Sequence, residues 1–198
     1  MKWRRIILLL FLLLLLGGVG AYWWYYEWRE HSQDAPILAA AQRYGVEPAL
    51  VKAVVWRESR FNPRTLGGKG EIGLMQVLPK AAGKDWTDAE RVPPLAAEIL
   101  LDPGTNTLVG AWYLEKLLRR YAQTDNPLPY ALADYNAGRG NVLKWEHGPA
   151  ATNSAAFIEQ IGFPGTKSYV RSVMRRYEHY RTIFPSKPET FNEPQIKH

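Results

Sequence analysis

The stretch Ala53-Val-Val-Trp-Arg-Glu-Ser-Arg-Phe-Asn-Pro63 sets the reading of the whole chain. Leu50, Val51, Val54 and Val55 form an apolar stripe at helical spacing, and Glu58 continues it one turn after Val54. A carboxylate on the apolar side of a helix is expensive unless something holds it there. Pro48 opens this helix. It must stop before Asn62-Pro63, because the residue preceding a proline avoids the helical region.

Similar punctuation marks helices on either side. Pro36 starts a run through Tyr44 that Gly45 ends. Asp102 or Thr105 caps a long helix through Tyr121, with Leu114, Leu117 and Leu118 among its apolar positions. Tyr130 to Asn136 reads as a short helix ended by Gly138, and Ser154 to Ile161 as another. Tyr169, Val170, Val173, Met174, Tyr177 and Phe184 trace the stripe of a last helix. No segment sustains strand alternation, so the fold class is mainly α, with little or no sheet.

At the N-terminus, Lys2, Arg4 and Arg5 precede an unbroken apolar run from Ile6 to Leu16, and Tyr22-Trp-Trp-Tyr-Tyr26 closes the segment. A cleaved secretory signal fits the basic start, the apolar core and the small residues up to Ala21. A retained transmembrane anchor needs about 20 apolar residues, which residues 6–26 supply. The aromatic cluster favours the anchor, with Arg4 and Arg5 on the cytoplasmic side. Under either reading the remainder is exported: a linker over 27–35, one domain over 36–185 and a polar tail over 186–198.

The composition excludes several function classes. A hydrophobic fraction of 46% over 198 residues supports one well-cored domain plus an appendage. The net charge of +6 suits an anionic polymer or a membrane surface as readily as a solvated helix face. No nucleic-acid module is present. The absence of cysteine removes disulfides, thiol nucleophiles and a lipidated cysteine. His31, His147, His179 and His198 lack metal-ligand spacing, and neither a metal nor a cofactor is expected.

On the residues alone, two readings of Glu58 stay open. In one, the side chain turns to solvent or pairs with Arg57, Arg60 or Arg64. In the other, an apolar wall raises its pKa until it can donate a proton to a leaving oxygen, as a general acid for glycoside cleavage does. The Gly-rich loop Gly67-Gly-Lys-Gly-Glu-Ile-Gly73 lacks a P-loop ending and follows no strand, so it reads as backbone passing close to a helix or ligand. Met75 has the chemistry of a core residue, whereas Gln76 offers both a donor and an acceptor. Tyr135 and Asn136 either end a helix or line a sugar cleft. Trp56, Trp112 and Trp145 either stack on sugars or pack in the core.

Five segments in order resemble the soluble lytic transglycosylase (SLT) domain family. They are Glu58-Ser-Arg-Phe-Asn-Pro63, Gly73-Leu-Met-Gln-Val-Leu-Pro79, Leu101 to Asn106 with Gly110 to Leu114, Ala131 to Gly138, and Thr166 to Val170. The resemblance covers nearly all of the exported domain. It implies a lysozyme-like fold and cleavage of peptidoglycan between N-acetylmuramic acid and N-acetylglucosamine, leaving a 1,6-anhydro end. It assigns Glu58 as the single catalytic acid/base, Gln76 and Met75 as a cleft-lining pair, and Tyr135, Asn136 and Tyr169 as further substrate contacts. The sequence departs from the family at Gly67, commonly serine, at Glu71, often alanine, and at Gly165, often glutamate. Glu71 is accordingly expected to restore polarity at the substrate.

Two rivals accompany this expectation. One is a goose-type lysozyme-like hydrolase, with Glu71 or Asp134 positioning water. The other is a non-catalytic wall-binding scaffold. The expected partners are peptidoglycan strands and the membrane, with the chain acting as a monomer or inside a cell-envelope complex.

Overall fold

Helix α3 (Pro48–Ser59) is buried on all sides from Pro48 to Val55, which explains an apolar sequence wider than one stripe. The computed structural model describes residues 2–184; the polar tail expected at 186–198 lies outside them. These residues divide into two units, 1–33 and from Asp34 onward.

In the first unit, α1 (Lys2–His31) is a single helix whose apolar side chains are exposed. It is long and apolar enough to cross a membrane, by length and composition. The stretch read as a linker is largely helical. Glu27 to His31 completes α1, where Glu27 pairs with His31 one turn later, and Ser32 Oγ donates to the Arg29 carbonyl. These local pairings satisfy the helix end that a polar composition alone left looking irregular.

In the second unit, α2 (Asp34–Tyr44) starts two residues before Pro36. Pro36 is tolerated in the first turn because its missing N–H has no intrahelical partner there. The long helices are α5 (Pro103–Arg120) and α9 (Pro164–Ile183), joined by α6 (Pro127–Ala137), α7 (Arg139–Trp145) and α8 (Ser154–Gln160). Helix α3 packs on α9 and α2, α2 on α5, and α6 lies against both α5 and α9. Short α4 (Lys84–Glu90) is the remaining α-helix among the described residues. Asp102 caps α5, accepting from the Thr105 N–H at 2.7 Å. Among the described residues there are no strands, only two isolated bridges, Leu66 to Ile72 and Ile72 to Val77.

One ion pair ties α2 to α3. Lys52 is 1% exposed, its ammonium lies 2.5 Å from Asp34 Oδ1, and the rings of Phe61, Tyr180 and Phe184 surround it. A buried ammonium needs such a counter-charge and a set of ring faces.

Helix α3 ends earlier than its proline requires. Arg60 and Phe61 both adopt left-handed conformations, with φ of 52° and 61°. The Arg60 guanidinium stacks 3.6 Å over the Trp56 ring and also donates to the Trp56 carbonyl. Arg176 lies over the same ring at 4.3 Å, so Trp56 is held between two arginines and the core rather than presented as an open sugar platform.

Candidate active site

The C-terminal end of α3 carries Glu58 into a cleft of ≈ 340 Å³. The 66–78 loop forms one side of the cleft and the C-terminal end of α6 the other, with Gln76, Glu71, Tyr135 and Asn136 among its lining residues. The sequence therefore brings four of the expected substrate contacts to the same depression as Glu58.

Glu58 is held by Tyr169 of α9, whose hydroxyl donates to its Oε1 at 2.6 Å. Burial pushes the Glu58 carboxyl up to about 7; the Tyr169 hydrogen bond and the nearby Arg57 charge pull it down, and Glu71 pushes it up again. Removal from water outweighs the favourable partners, so the group sits where it can both hold and release a proton at neutral pH. The guanidinium of Arg57 lies 5.3 Å from the centre of the Tyr169 ring, a cation–π contact. The Tyr169 ring itself is 2% exposed and does not line the cleft. Its hydroxyl acts on the site through Glu58, which corrects the expectation of a direct substrate contact.

Met75 also departs from expectation. Its side chain is fully buried, packed where any Cβ on Gly110 would intrude, so it supports the cleft from beneath. Its carbonyl, not its thioether, meets the site, accepting from the Tyr135 hydroxyl at 2.7 Å. That bond pins the loop to α6. Asn136 is exposed, and its Oδ1 accepts from Thr166 at 2.8 Å, joining α6 to α9.

Sequence reading assigned no role to Asn106, yet it holds the loop. Fully buried in α5, it donates to the carbonyls of Ile72 and Leu100 and accepts from the Met75 N–H, each at 2.8 Å. All its hydrogen-bonding capacity in that direction is used, which makes the buried amide affordable. Gly73 is compulsory beside it, both for its φ of 79° and because a side chain would strike Asn106. The signal was present in the sequence as a polar residue on the apolar face of α5, in line with Val109 and Gly110. Tyr113 and Lys69, also unassigned beforehand, line the cleft.

Asp134 does not serve as a free cleft carboxylate. It is 1% exposed and accepts from Arg120 at 2.6 Å and from the Tyr121 hydroxyl at 2.8 Å. Glu71 lines the cleft as well, and its Oε2 accepts from the Lys69 N–H at 2.8 Å.

Residues 35–158 match the model of the transglycosylase SLT domain. The chain belongs to the SLT domain family. The soluble lytic murein transglycosylase of Escherichia coli K12 is 34% identical over 145 residues, spanning 72% of this chain and 22% of that protein. The membrane-bound lytic murein transglycosylase C of Klebsiella pneumoniae is 36% identical over 121 residues, 59% of this chain and 34% of that protein. An inactive mutant of lytic transglycosylase Slt from Pseudomonas aeruginosa superposes with a TM-score of 0.68 at 28% identity, over 75% of this chain and 24% of that one. The chain thus spans about a third or less of its relatives' length. The fold is that of the SLT enzymes. Tyr169 lies past the matched residues, on the helix α9 that completes the Glu58 environment.

Proposed function

We propose that this chain is a peptidoglycan lytic transglycosylase and that Glu58 serves in turn as its acid and its base. The observation that carries the reading is the placement of Glu58: a carboxyl raised to about 7 by burial, opening on a cleft with Gln76, Glu71, Tyr135 and Asn136. The names of the SLT relatives support the substrate class.

In this mechanism, protonated Glu58 gives its proton to the oxygen between N-acetylmuramic acid and N-acetylglucosamine as the C1–O bond breaks. The N-acetyl carbonyl of the sugar stabilises the positive centre, so no second protein carboxylate is required. Ionised Glu58, held by the Tyr169 hydroxyl, then takes the proton from the C6 hydroxyl as that oxygen closes on C1. The product is a 1,6-anhydro end, and Glu58 returns to its starting form. Well-oriented intramolecular attack gains up to roughly 7–11 kcal/mol over a bimolecular step, which favours the C6 hydroxyl over water.

The apolar helix α1 fits a membrane anchor. Lys2, Arg4 and Arg5 would stay cytoplasmic and the SLT domain would act on the outer side. Mass spectrometry of fragments released from purified sacculi tests the function. Anhydro ends support it. Reducing ends alone would instead establish a hydrolase, and no release at all would leave only a wall-binding scaffold.

A further inference from the structure

Helix α3 carries Glu58 at its C-terminal end and lines a second cavity at its N-terminal end. That cavity holds ≈ 560 Å³ and is larger than the catalytic cleft. The two share no lining residue, and α3 rises about 12 Å between Leu50 and Glu58. Val46, Leu50, Leu118, Leu128 and Met174 supply its apolar part, from α3, α9, the end of α5 and the start of α6. The cleavage chemistry uses none of these residues.

The polar groups around the cavity are unbalanced. Its two carboxylates are engaged. Glu47 accepts from the Tyr177 hydroxyl and pairs with Arg181 at 3.3 Å, and Glu178 pairs with the same guanidinium at 3.3 Å. Two of its donors are not. The Arg175 guanidinium has no hydrogen-bond or ion-pair partner among the described residues. Asn126 accepts from the Leu128 N–H through Oδ1 at 3.0 Å, whereas its Nδ2 donates to nothing among those residues. The missing group is therefore an acceptor, and a carboxylate matches a guanidinium best.

Size and ring geometry narrow the occupant further. This volume suits a small molecule or a few residues of peptide, whereas a stable protein partner needs about 800 Å² on each side. Sugar stacking would use an open ring face. Tyr177 is the one aromatic residue in the lining, and the Arg181 guanidinium lies over its ring at 5.5 Å.

We propose that this cavity binds the peptide side arm of peptidoglycan, with a free carboxylate on Arg175 and Asn126 and small aliphatic side chains against Leu50, Leu118 and Met174. The choice of polymer rests on the lytic reading. The ligand class, a short aliphatic peptide carboxylate, rests on the cavity alone. Its consequence is retention: a second, weak contact on the same polymer raises the effective concentration of glycan at the cleft.

The test titrates the full chain in detergent micelles with a synthetic L-Ala-D-Glu-L-Lys-D-Ala tetrapeptide and follows methyl NMR signals. Those of Val46, Leu50, Leu118, Leu128 and Met174 should move, and those of Val77 and Leu78 in the cleft should not. Amidating the peptide carboxylates, or R175A, should weaken binding roughly tenfold or more, the scale of a lost charge-assisted hydrogen bond. R175K keeps the charge without the planar fork and should fall between. R175A should keep parental kcat and KM on glycan strands stripped of peptide, and raise KM on intact sacculi at least about threefold. Movement confined to Val77 and Leu78, or none at roughly 10 mM peptide, overturns the proposal. Parental affinity in R175A or for the amidated peptide does the same. An unchanged sacculus KM in R175A that no longer binds peptide overturns the retention role. A parent that releases no fragments defeats the lytic reading separately, and the titration, which needs no cleavage, still decides the cavity.

Discussion

The Tyr169 hydroxyl donates to Glu58 Oε1 at 2.6 Å, a contact between residues 111 positions apart in sequence. It opposes the burial that raises the Glu58 pKa, and in the proposed mechanism it would give the ionised carboxylate a partner during the base half of the cycle. Tyr169→Phe removes that donor without removing the ring. The account predicts a roughly tenfold lower kcat and a pH–rate profile displaced to higher pH, since ionised Glu58 loses its stabilising hydrogen bond. A displacement to lower pH contradicts it.

Glu58 also has a predicted effect on folding. Its folded pKa of about 7 exceeds the unfolded value of 4.5, so ionisation opposes the folded state. The penalty is absent below pH 4.5, grows as pH rises towards about 7, and is constant above that. Glu58→Gln removes the charge and should stabilise the protein at pH 8 by at most about 3 kcal/mol, with little effect at pH 4. Urea unfolding at the two pH values measures this, and equal stabilisation at both refutes the assignment.

Asn106→Ala should be far more costly than its size implies. The change strands the Met75 N–H and the Leu100 carbonyl inside the protein, whereas the Ile72 carbonyl keeps the Val77 N–H at 2.9 Å. At about 1–3 kcal/mol for each unsatisfied group, a loss of at least about 2 kcal/mol is expected in urea unfolding. The cleft loop should also become the first segment to exchange its amide hydrogens.

The Lys52–Asp34 pair predicts an asymmetry. Lys52 is 1% exposed and Asp34 25%, so an aspartate that loses Lys52 can recover water, but a lysine that loses Asp34 cannot. Asp34→Ala should therefore destabilise more than Lys52→Met, by about 3 kcal/mol against a smaller loss. Thermal or urea unfolding of the two variants decides it, and the reverse order contradicts the account.

Much of this was legible in the sequence, for reasons that particular residues make plain. Pro48, Asp102 and Gly138 mark helix ends through local chemistry, so the helical class and most element positions followed from short-range rules. Glu58, Gln76, Glu71, Tyr135 and Asn136 were nominated together, and the fold gathers them around one cleft. What escaped depends on long-range packing. Met75 was expected at the surface of the cleft but fills the space over Gly110, a contact invisible along the chain. Tyr169 looked like a substrate contact, whereas α9 buries its ring and leaves only the hydroxyl at Glu58. Asp134 sits beside the right motif, yet Arg120 and Tyr121 claim its carboxylate. Lys52 reads as a polar interruption of α3 until Asp34 and three rings surround it.

The central claim is that Glu58 performs both proton transfers in a cleavage that consumes no water. The most direct measurement is the fragment profile released from purified sacculi by the parent chain and by Glu58→Gln, with folding of the variant checked by circular dichroism. The account predicts 1,6-anhydro ends from the parent and a loss of release of at least about 100-fold from the folded variant, the usual scale for removing a general acid. Substantial anhydro product from folded Glu58→Gln would contradict it.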